Sequence, residues 1–315
     1  MTTNQPVVLT MFGAISPNSF DVFDIGANKT YFDTGKWTNS LFQGLKHKSA
    51  LLAHVLDTMA SSSKKAIAIP GMVLDALEKY DPLSLSSLSE LVATYDLELL
   101  SMPYHVGSTR ILSCEEFAYQ VRLHNETVSR VLGKEAKIFY SPEQHLDPDH
   151  VRILGELGIP SVLGGHVSTI DMLTDDDLLQ QQLGSLENSA FDITPAVTSI
   201  SGSGFENAPF TSSSLQSHLI DELKAIYPHI LSSGDRSLLD DWKILSSHPV
   251  LSSISPTMQG HSTSDYEQYV TIMNILNDMA HKIRSVSLST QGMFVTAPEI
   301  SESPSSLLAS TSKRG

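Results

Sequence analysis

Five side chains able to do chemistry stand directly after short apolar segments of the sequence, where a reactive group would be held rigidly. His105 follows one such segment and stands beside an aromatic ring, Tyr104. Glu143 follows the next segment, His145 comes two residues later, and His166 follows a further segment. Imidazoles and carboxylates perform most acid–base and nucleophilic catalysis near neutral pH. Together with Tyr104, these residues are the candidates for a functional site.

Each candidate also has a purely structural interpretation. A single histidine in a loop is often a surface or hydrogen-bonding residue, which applies to His145 and His166 in particular. Glu143 precedes a proline-started helix, where a carboxylate stabilises the unpaired N–H groups of the first turn. Cys114 stands at a helix start, which can lower a thiol pKa, but a small buried residue is the simpler interpretation.

The segments before these residues alternate with helical patterns, which indicates parallel strands joined by right-handed crossovers. The strands are short apolar runs that end in Gly, Pro or Ser, which is typical of strands buried on both faces. Their predicted bounds are Val7–Phe12, Ala66–Ile69, Leu97–Met102, Lys137–Tyr140 and Ser161–Leu163. Five such units before residue 165, with more chain after them, favour a barrel. In a barrel of parallel strands, the active residues lie at the carboxyl ends of the strands.

Helix signals lie between and after these strands. Ser113 and Glu116 have the spacing of a capping box, and Asp147-Pro148 is an N-cap followed by a proline at the first helical position. The predicted helices are Leu45–Met59, Leu88–Thr94, Ser113–Leu132, one from Pro148 to Gly158, one beginning at Thr174, and Asp265–Ile283. Residues 185–260 show no clear period, because serines are frequent there.

Composition excludes several classes of function. The net charge is −15, and no cluster of basic residues is large enough to bind nucleic acid. No apolar run approaches the length of a membrane span, and residues 1–6 do not resemble a signal peptide, so a cytoplasmic protein without a membrane partner is expected. One cysteine in 315 residues excludes an intramolecular disulfide. The domain is predicted to span 1–284, with a disordered Ser/Thr/Pro-rich tail at 285–315.

In this order along the chain, the segments resemble the catalytic domain of glycoside hydrolase family 57, the α-amylase and 4-α-glucanotransferase family. The resemblance extends from about Val7 to about Met279. The similar segments are Phe23–Gly26 with Tyr31–Asp33, Ile69–Tyr80, Glu98–His105, Phe139–Glu143, Glu156–Leu163, and Tyr266–Asp278. The ordered set is more specific than any one of its segments.

The resemblance implies a single-domain α/β fold, a distorted parallel (β/α)7-type barrel, and a retaining mechanism on α-glucans. It implies that Glu143 is the nucleophile and that Tyr104, His105 and His145 line the sugar site. Retaining hydrolysis uses a second carboxyl group, about 5.5 Å away, as the acid/base. It implies a carbohydrate as the ligand, and no cofactor or metal is predicted.

Two departures from the family pattern affect the chemistry. The first strand of the family ends in a His-Gln-Pro segment, of which Ala14–Pro17 keeps only the proline. The acid/base aspartate of the family follows a later strand, but the similar stretch here, Ser199–Glu206, contains no aspartate. Asp192, upstream, and Glu206 are the two candidates for the acid/base.

Three functional hypotheses follow. The first is an active glycosidase or glucanotransferase, which predicts that Asp192 or Glu206 lies close to Glu143. The second is a catalytically inactive relative that binds a glycan or a partner. The third is a metal-dependent hydrolase resembling carbohydrate deacetylases, in which two or three of His105, Glu143, His145 and His166 would share one ion at about 2.0–2.2 Å. The third lacks a tight ligand spacing such as His-x-x-x-His.

Overall fold

The computed structural model describes residues 7–10, 15–39, 65–143, 146–164, 169–171, 192–195, 213–254 and 265–292. The described strands are β1 (Val7–Thr10), β2 (Lys65–Ala68), β3 (Glu98–Ser101), β4 (Ile138–Phe139), β5 (Ser161–Gly164), β6 (Thr169–Asp171) and β7 (Asp192–Pro195). The helices are α1 (Gly71–Tyr80), α2 (Pro82–Thr94), α3 (Cys114–Leu132), α4 (Pro148–Glu156), α5 (Ser214–Ser233), α6 (Arg236–Leu245), α7 (His248–Ser252) and α8 (Asp265–Gly292). A short 3-10 helix spans Val22–Asp24, and residues 34–39 are helical.

The strands form one sheet in the order β6-β1-β2-β3-β4-β5-β7. All neighbours run parallel except β5 and β7, which run antiparallel. The predicted parallel α/β architecture is therefore confirmed, and all five predicted strands are present.

The expected closure into a (β/α)7 barrel is not found: among the described strands, none pairs β6 with β7, and the sheet stays open between these two edges. The barrel was inferred from the number of βα units. Closure depends instead on strand tilt and on the stagger of the register around the sheet, which a unit count does not reveal. The reversed direction of β7 also ends the parallel series at that edge.

Both faces of the central strands β2 and β3 are buried, as their apolar segments predict. Along β2, Ala66 and Ala68 face one apolar cluster, and Ile67 faces another that is covered by α1 and α2. A larger cluster packs α3, α4 and the later helices around Phe117, Phe139 and other buried rings and aliphatic side chains. Because successive strand residues point to opposite faces, this alternation places the sheet between two apolar layers.

The predicted helix bounds hold in part. Helix α3 begins at its predicted cap, where the Ser113 hydroxyl accepts from the Glu116 N–H at 3.2 Å. Helix α8 continues to Gly292, into residues that were predicted to begin the tail. The predicted helices at 45–59 and from 174, and residues 293–315, lie outside the described residues. None of the described helices is both long and apolar enough to cross a membrane.

A buried carboxylate ties the late helix to the early loop. Asp278 of α8 accepts hydrogen bonds from the Tyr31 hydroxyl and the Gly26 N–H, each at 2.6 Å, and its Oδ2 lies 3.0 Å from Lys282 Nζ. Gly26 has φ +81°, a left-handed conformation that glycine adopts without strain. Burial alone would raise the pKa of Asp278, but these three donors lower it below its ordinary value. The group that joins α8 to the early loop is therefore a charged Asp278 carboxylate.

A second carboxylate near this tie is expected to make stability depend on pH. Burial raises the pKa of Asp241 from 3.8 to about 6. The charge of Lys282 opposes this increase, and the charges of Asp240 and Asp235 add to it. The folded chain then holds a proton that the unfolded chain releases, so stability falls as the pH rises from about 4 to about 6. We expect Asp241→Asn to raise the thermal midpoint at pH 7 and to lose this advantage by pH 4. Melting curves across that range, with the exposed Asp221→Asn as a control, would contradict this if the two variants behave alike.

Candidate functional site

The carboxylate of Glu143 is enclosed at the carboxyl edge of the sheet, in the loop between β4 and α4. Its side chain is 1% exposed. The Thr109 hydroxyl, from the loop between β3 and α3, donates to Oε2 at 3.2 Å, and Nδ1 of His248 lies 3.6 Å from Oε1. One oxygen therefore contacts a neighbouring strand-end loop, and the other contacts the first residue of α7.

These contacts keep Glu143 ionised. Burial opposes the charged form, but His248, Ser108 and Thr109 stabilise it more strongly. The pKa of Glu143 consequently lies below its ordinary value of 4.5. At neutral pH the group is a carboxylate, which is the form that a nucleophile or a charge-stabilising group requires.

His105 lies at the end of the neighbouring strand, β3, as the sequence predicts. Its backbone N–H donates to Gln120 Oε1 at 3.3 Å, while its enclosed Nδ1 has no hydrogen-bond partner among the described residues. Burial, with a smaller effect of Lys243, lowers the pKa of His105 to about 3. The imidazole is neutral at physiological pH and can both donate and accept a hydrogen bond.

The Tyr104 hydroxyl, by contrast, is bonded to the carboxylate of Asp75 in α1. Burial, followed by this hydrogen bond, raises the pKa of Tyr104 above its ordinary value. Arg130 of α3 also contacts Asp75, at 2.5 Å. The hydroxyl therefore fixes the strand end to α1 and α3, and the Tyr104 ring meets the His105 ring edge-on at 4.7 Å between centroids.

The Tyr104 ring occupies the space that a side chain at Gly71 would need. A Cβ at Gly71, the first residue of α1, would overlap the ring, and the Met72 N–H already donates to the Tyr104 carbonyl at 3.4 Å. We expect Gly71→Ala to displace the ring, weaken its bond to Asp75 and cost about 1–3 kcal/mol of unfolding free energy, the usual range for overpacking.

Gly155→Ala is a matched control for this change, because Gly155 lies in α4 and a Cβ there would meet nothing within 4 Å. Alanine is the better helix former, so this control is expected to be neutral or stabilising by up to about 1 kcal/mol. Urea unfolding of both variants decides the point. Equal effects at the two glycines would contradict the clash with Tyr104.

The loop after β3 is held by the segment that joins α6 to α7. Ser108 N–H donates to the Ser246 carbonyl at 2.9 Å, and His248 N–H donates to the Val106 carbonyl at 2.8 Å. An antiparallel bridge pairs Gly107 with Ser247 between these two bonds. Val106 has φ +56°, which is a strained conformation for a β-branched residue. This strain persists because the loop is fixed on both sides.

The other predicted site residues are only partly described. Asp192 begins β7, and its backbone pairs with Gly164 at the carboxyl end of β5. The backbone of Asp192 therefore lies at the same edge of the sheet as the loop that holds Glu143. The side chain of Asp192, and the residues His145, His166 and Glu206, lie outside the described part of the structure.

Within the described ranges, no three His, Cys, Asp or Glu side chains come together as a metal site. Glu143 and His105 are the only two of the four proposed metal ligands that fall within those ranges. The contacts of Glu143 there are hydroxyl and imidazole groups, with no carboxyl group among them.

Sequence reasoning missed the partners of Glu143. Thr109 and Ser108 follow the predicted strand end, but their hydroxyl groups are not acid–base groups near neutral pH, so their residue types give no signal of a site. His248 lies in the serine-rich region without a clear period. The available signal was local: Ser247 is an N-cap and Pro249 follows at the helix start, which marks a helix beginning at His248.

Comparison with known families decides the relationship. The model of glycosyl hydrolase family 57 matches residues 4–184, more than half of the chain. The chain belongs to glycosyl hydrolase family 57. The family 57 match includes Glu143 and His105, and it ends before the segment that supplies His248. Among curated proteins, none matches the sequence.

Three solved structures are similar in part. A 4-α-glucanotransferase of Thermococcus litoralis is 19% identical, with a TM-score of 0.37, and the match covers 51% of this chain and 22% of that one. A pseudoenzyme of the CE4 family is 14% identical, with a TM-score of 0.30 over 57% of this chain and 52% of that one. A Mycobacterium smegmatis protein described as a polysaccharide deacetylase is 12% identical, with a TM-score of 0.35 and coverage of 92% of both chains. The chain thus spans about a fifth of the glucanotransferase.

Proposed function

We propose that this family 57 chain is a retaining glycoside hydrolase or glucanotransferase that acts on α-glucans, with Glu143 as its nucleophile. The observation that supports this most directly is the position of the buried Glu143 carboxyl group at the carboxyl edge of a parallel sheet, where Oε2 accepts from Thr109 and Oε1 lies 3.6 Å from His248 Nδ1. Active residues of parallel α/β folds lie at this edge.

The proposed reaction has two steps. An oxygen of Glu143 attacks the anomeric carbon while the acid protonates the leaving glycosidic oxygen, which gives a glycosyl-enzyme ester. Water or an acceptor sugar, deprotonated by the same acid/base, then displaces Glu143. We assign a sugar hydroxyl to His105, because its neutral imidazole can both donate and accept a hydrogen bond.

Asp192 is our preferred acid/base. Its backbone pairs with Gly164 and lies two strands from β4 at the same sheet edge, roughly 10 Å away by the usual strand spacing. Two side chains reaching toward each other across that span can approach the separation of about 5.5 Å that a retaining pair needs. Glu206 remains the second candidate.

The enclosure of Glu143 favours one alternative, a catalytically inactive relative that binds a glycan. With its side chain 1% exposed and both oxygens in contact with Thr109 and His248, the carboxylate is stabilised as it stands. In the inactive relative, Glu143 would serve only as a structural anion.

Covalent trapping tests the proposal. The protein is incubated with 5-fluoro-α-D-glucosyl fluoride, and intact and peptide mass spectra are searched for a glycosyl ester. We expect the label on Glu143, with none on the Glu143→Gln variant and normal labelling of Glu126→Gln, a glutamate exposed on α3. An unlabelled protein that binds maltoheptaose by calorimetry would support the inactive relative. A protein that is neither labelled nor able to bind maltoheptaose would contradict both the active enzyme and the inactive glycan-binding relative.

Substitution identifies the acid. Asp192→Asn is expected to lower the turnover of maltoheptaose by about 10²–10⁴, the usual contribution of general acid catalysis. Turnover of a glucosyl fluoride, whose leaving group needs no proton, should fall far less. Added azide should restore turnover by attacking the glycosyl-enzyme ester, which gives a glycosyl azide as the product. The same pattern for Glu206→Gln, with Asp192→Asn unaffected, would reassign the acid to Glu206.

A further inference from the structure

The imidazole of His248 is supplied to Glu143 by a part of the chain that the family match does not include. The match ends at residue 184, whereas His248 is the first residue of α7. Its Nδ1 nevertheless lies 3.6 Å from Oε1 of Glu143, and its own side chain is 19% exposed. The candidate site is therefore assembled from the sheet edge and from the later helices.

Two backbone hydrogen bonds hold the segment that carries His248 against the loop after β3. The N–H of His248 donates to the Val106 carbonyl at 2.8 Å, and Ser108 donates to the Ser246 carbonyl at 2.9 Å. The loop that carries these acceptors and donors also carries Thr109, which holds the other oxygen of Glu143. His248 and Thr109 thus reach the carboxylate from two segments that are hydrogen-bonded to each other.

We propose that His248 is a positioning residue for Glu143, which orients one carboxylate oxygen while Thr109 orients the other. The proposal deepens the proposed function, on which its catalytic meaning rests. A nucleophile that must attack an anomeric carbon in one direction benefits from a fixed carboxylate plane, because a reacting group held in a near-attack geometry has less entropy to lose. His248 does not itself touch the sugar in this proposal.

The charges around Glu143 support this role. Burial disfavours its charged form, and His248 is the largest of the influences that favour it, ahead of Ser108 and Thr109. The charge of Glu143 also acts on His150, where it favours the protonated imidazole, although burial lowers the pKa of His150 below its ordinary value. Removing the His248 side chain therefore leaves hydroxyl groups as the main stabilisers of a buried carboxylate.

The test measures the ionisation of Glu143 and does not depend on catalysis. Protein labelled with ¹³C at the glutamate side-chain carboxyl is titrated by NMR, and the Glu143 signal is assigned by its absence in Glu143→Gln. We expect His248→Ala to raise the apparent pKa of Glu143 by about 1–3 units, because the buried carboxylate loses the neighbouring group that most favours its charged form. His248→Asn, whose amide offers a donor to Oε1, should show a smaller upward shift than His248→Ala.

His229→Ala is the matched control, because His229 is exposed on α5. It should leave the Glu143 titration unchanged. If the enzyme turns over, the acid limb of its kcat/KM profile should move upward in His248→Ala by the same amount as the NMR titration, with a larger change in kcat than in KM. If the trapping experiment finds no ester, the NMR result still decides the positioning role.

An unchanged Glu143 titration in a folded His248→Ala variant would overturn the proposal. Should that variant not fold, His248→Phe supplies the answer, because its ring is of similar size but has no donor for Oε1: it should also raise the apparent pKa of Glu143. An unchanged Glu143 titration in a folded His248→Phe variant would overturn the proposal equally.

Discussion

Asp278→Ala is expected to destabilise the chain by about 3 kcal/mol, near the lower end of the range for breaking a buried ion pair. The carboxylate is fully buried and holds the Tyr31 hydroxyl and the Gly26 N–H, so its removal leaves two donors without an acceptor. Lys282 keeps partial access to solvent, which limits the loss. Urea unfolding at pH 7 measures the change.

The pH dependence of this loss is a sharper test than its size. Because the folded-state pKa of Asp278 is lowered, its stabilising effect is complete above the unfolded value, near 3.8, and is lost as the pH falls through the folded value. The difference between the unmodified chain and Asp278→Ala should therefore narrow below pH 4. Asp221→Ala, at an exposed position of α5, should show no such difference. A difference in unfolding free energy that stays constant down to pH 2 would contradict a charged Asp278.

Trp242→Ala is expected to have the second large effect, about 3–5 kcal/mol, as for other large buried aromatic side chains. Trp242 in α6 is fully buried, donates its indole N–H to the Leu223 carbonyl at 2.9 Å, and packs on the Tyr227 ring at 4.3 Å between centroids. Its loss opens a cavity and leaves a carbonyl of α5 without its indole donor. Trp242→Phe should cost less, because the ring still fills most of the space.

The effect should extend to the candidate site. Helix α6 leads directly into Ser246, whose carbonyl holds Ser108, and into His248. We expect Trp242→Ala to loosen this attachment and to raise hydrogen exchange at the Ser108 and His248 amides. Tyr266→Ala, which removes a ring that is 63% exposed, is the control and should change neither stability nor exchange by much. Equal effects of the two substitutions would contradict the role of Trp242 in the core.

The parts of the fold that local patterns encode were predicted from the sequence. Strand β3 is an apolar run that ends at a proline, and α3 begins at a Ser/Glu capping box, so both appear close to their predicted bounds. The open edge of the sheet was not predicted. Strand β7 pairs with β5 in the reverse direction through contacts that are distant in sequence, and nothing in the four residues of β7 specifies that direction.

The candidate site was also predicted only in part. The strand-end rule placed His105 and Glu143 at one edge of the sheet, because carboxyl ends of parallel strands meet there. The rule could not supply His248, since its contact with Glu143 depends on how α6 and α7 pack over the loop after β3. Packing of this kind follows from the shape of the whole core, and a local spacing does not record it.

The tie between Asp278 and the early loop also has a consequence for how the chain folds as it is synthesised. The hydrogen bonds from Gly26 and Tyr31 to Asp278 span 252 and 247 residues. Contacts between segments so distant in sequence form only after a long loop has closed at a cost in chain entropy, so they form late. At translation speeds of roughly 5–20 residues per second, the Tyr31 ring emerges from the ribosome many seconds before its acceptor. During that interval Gly26 and Tyr31 lack their acceptor, so we expect the early loop to take its final conformation only after α8 has been synthesised.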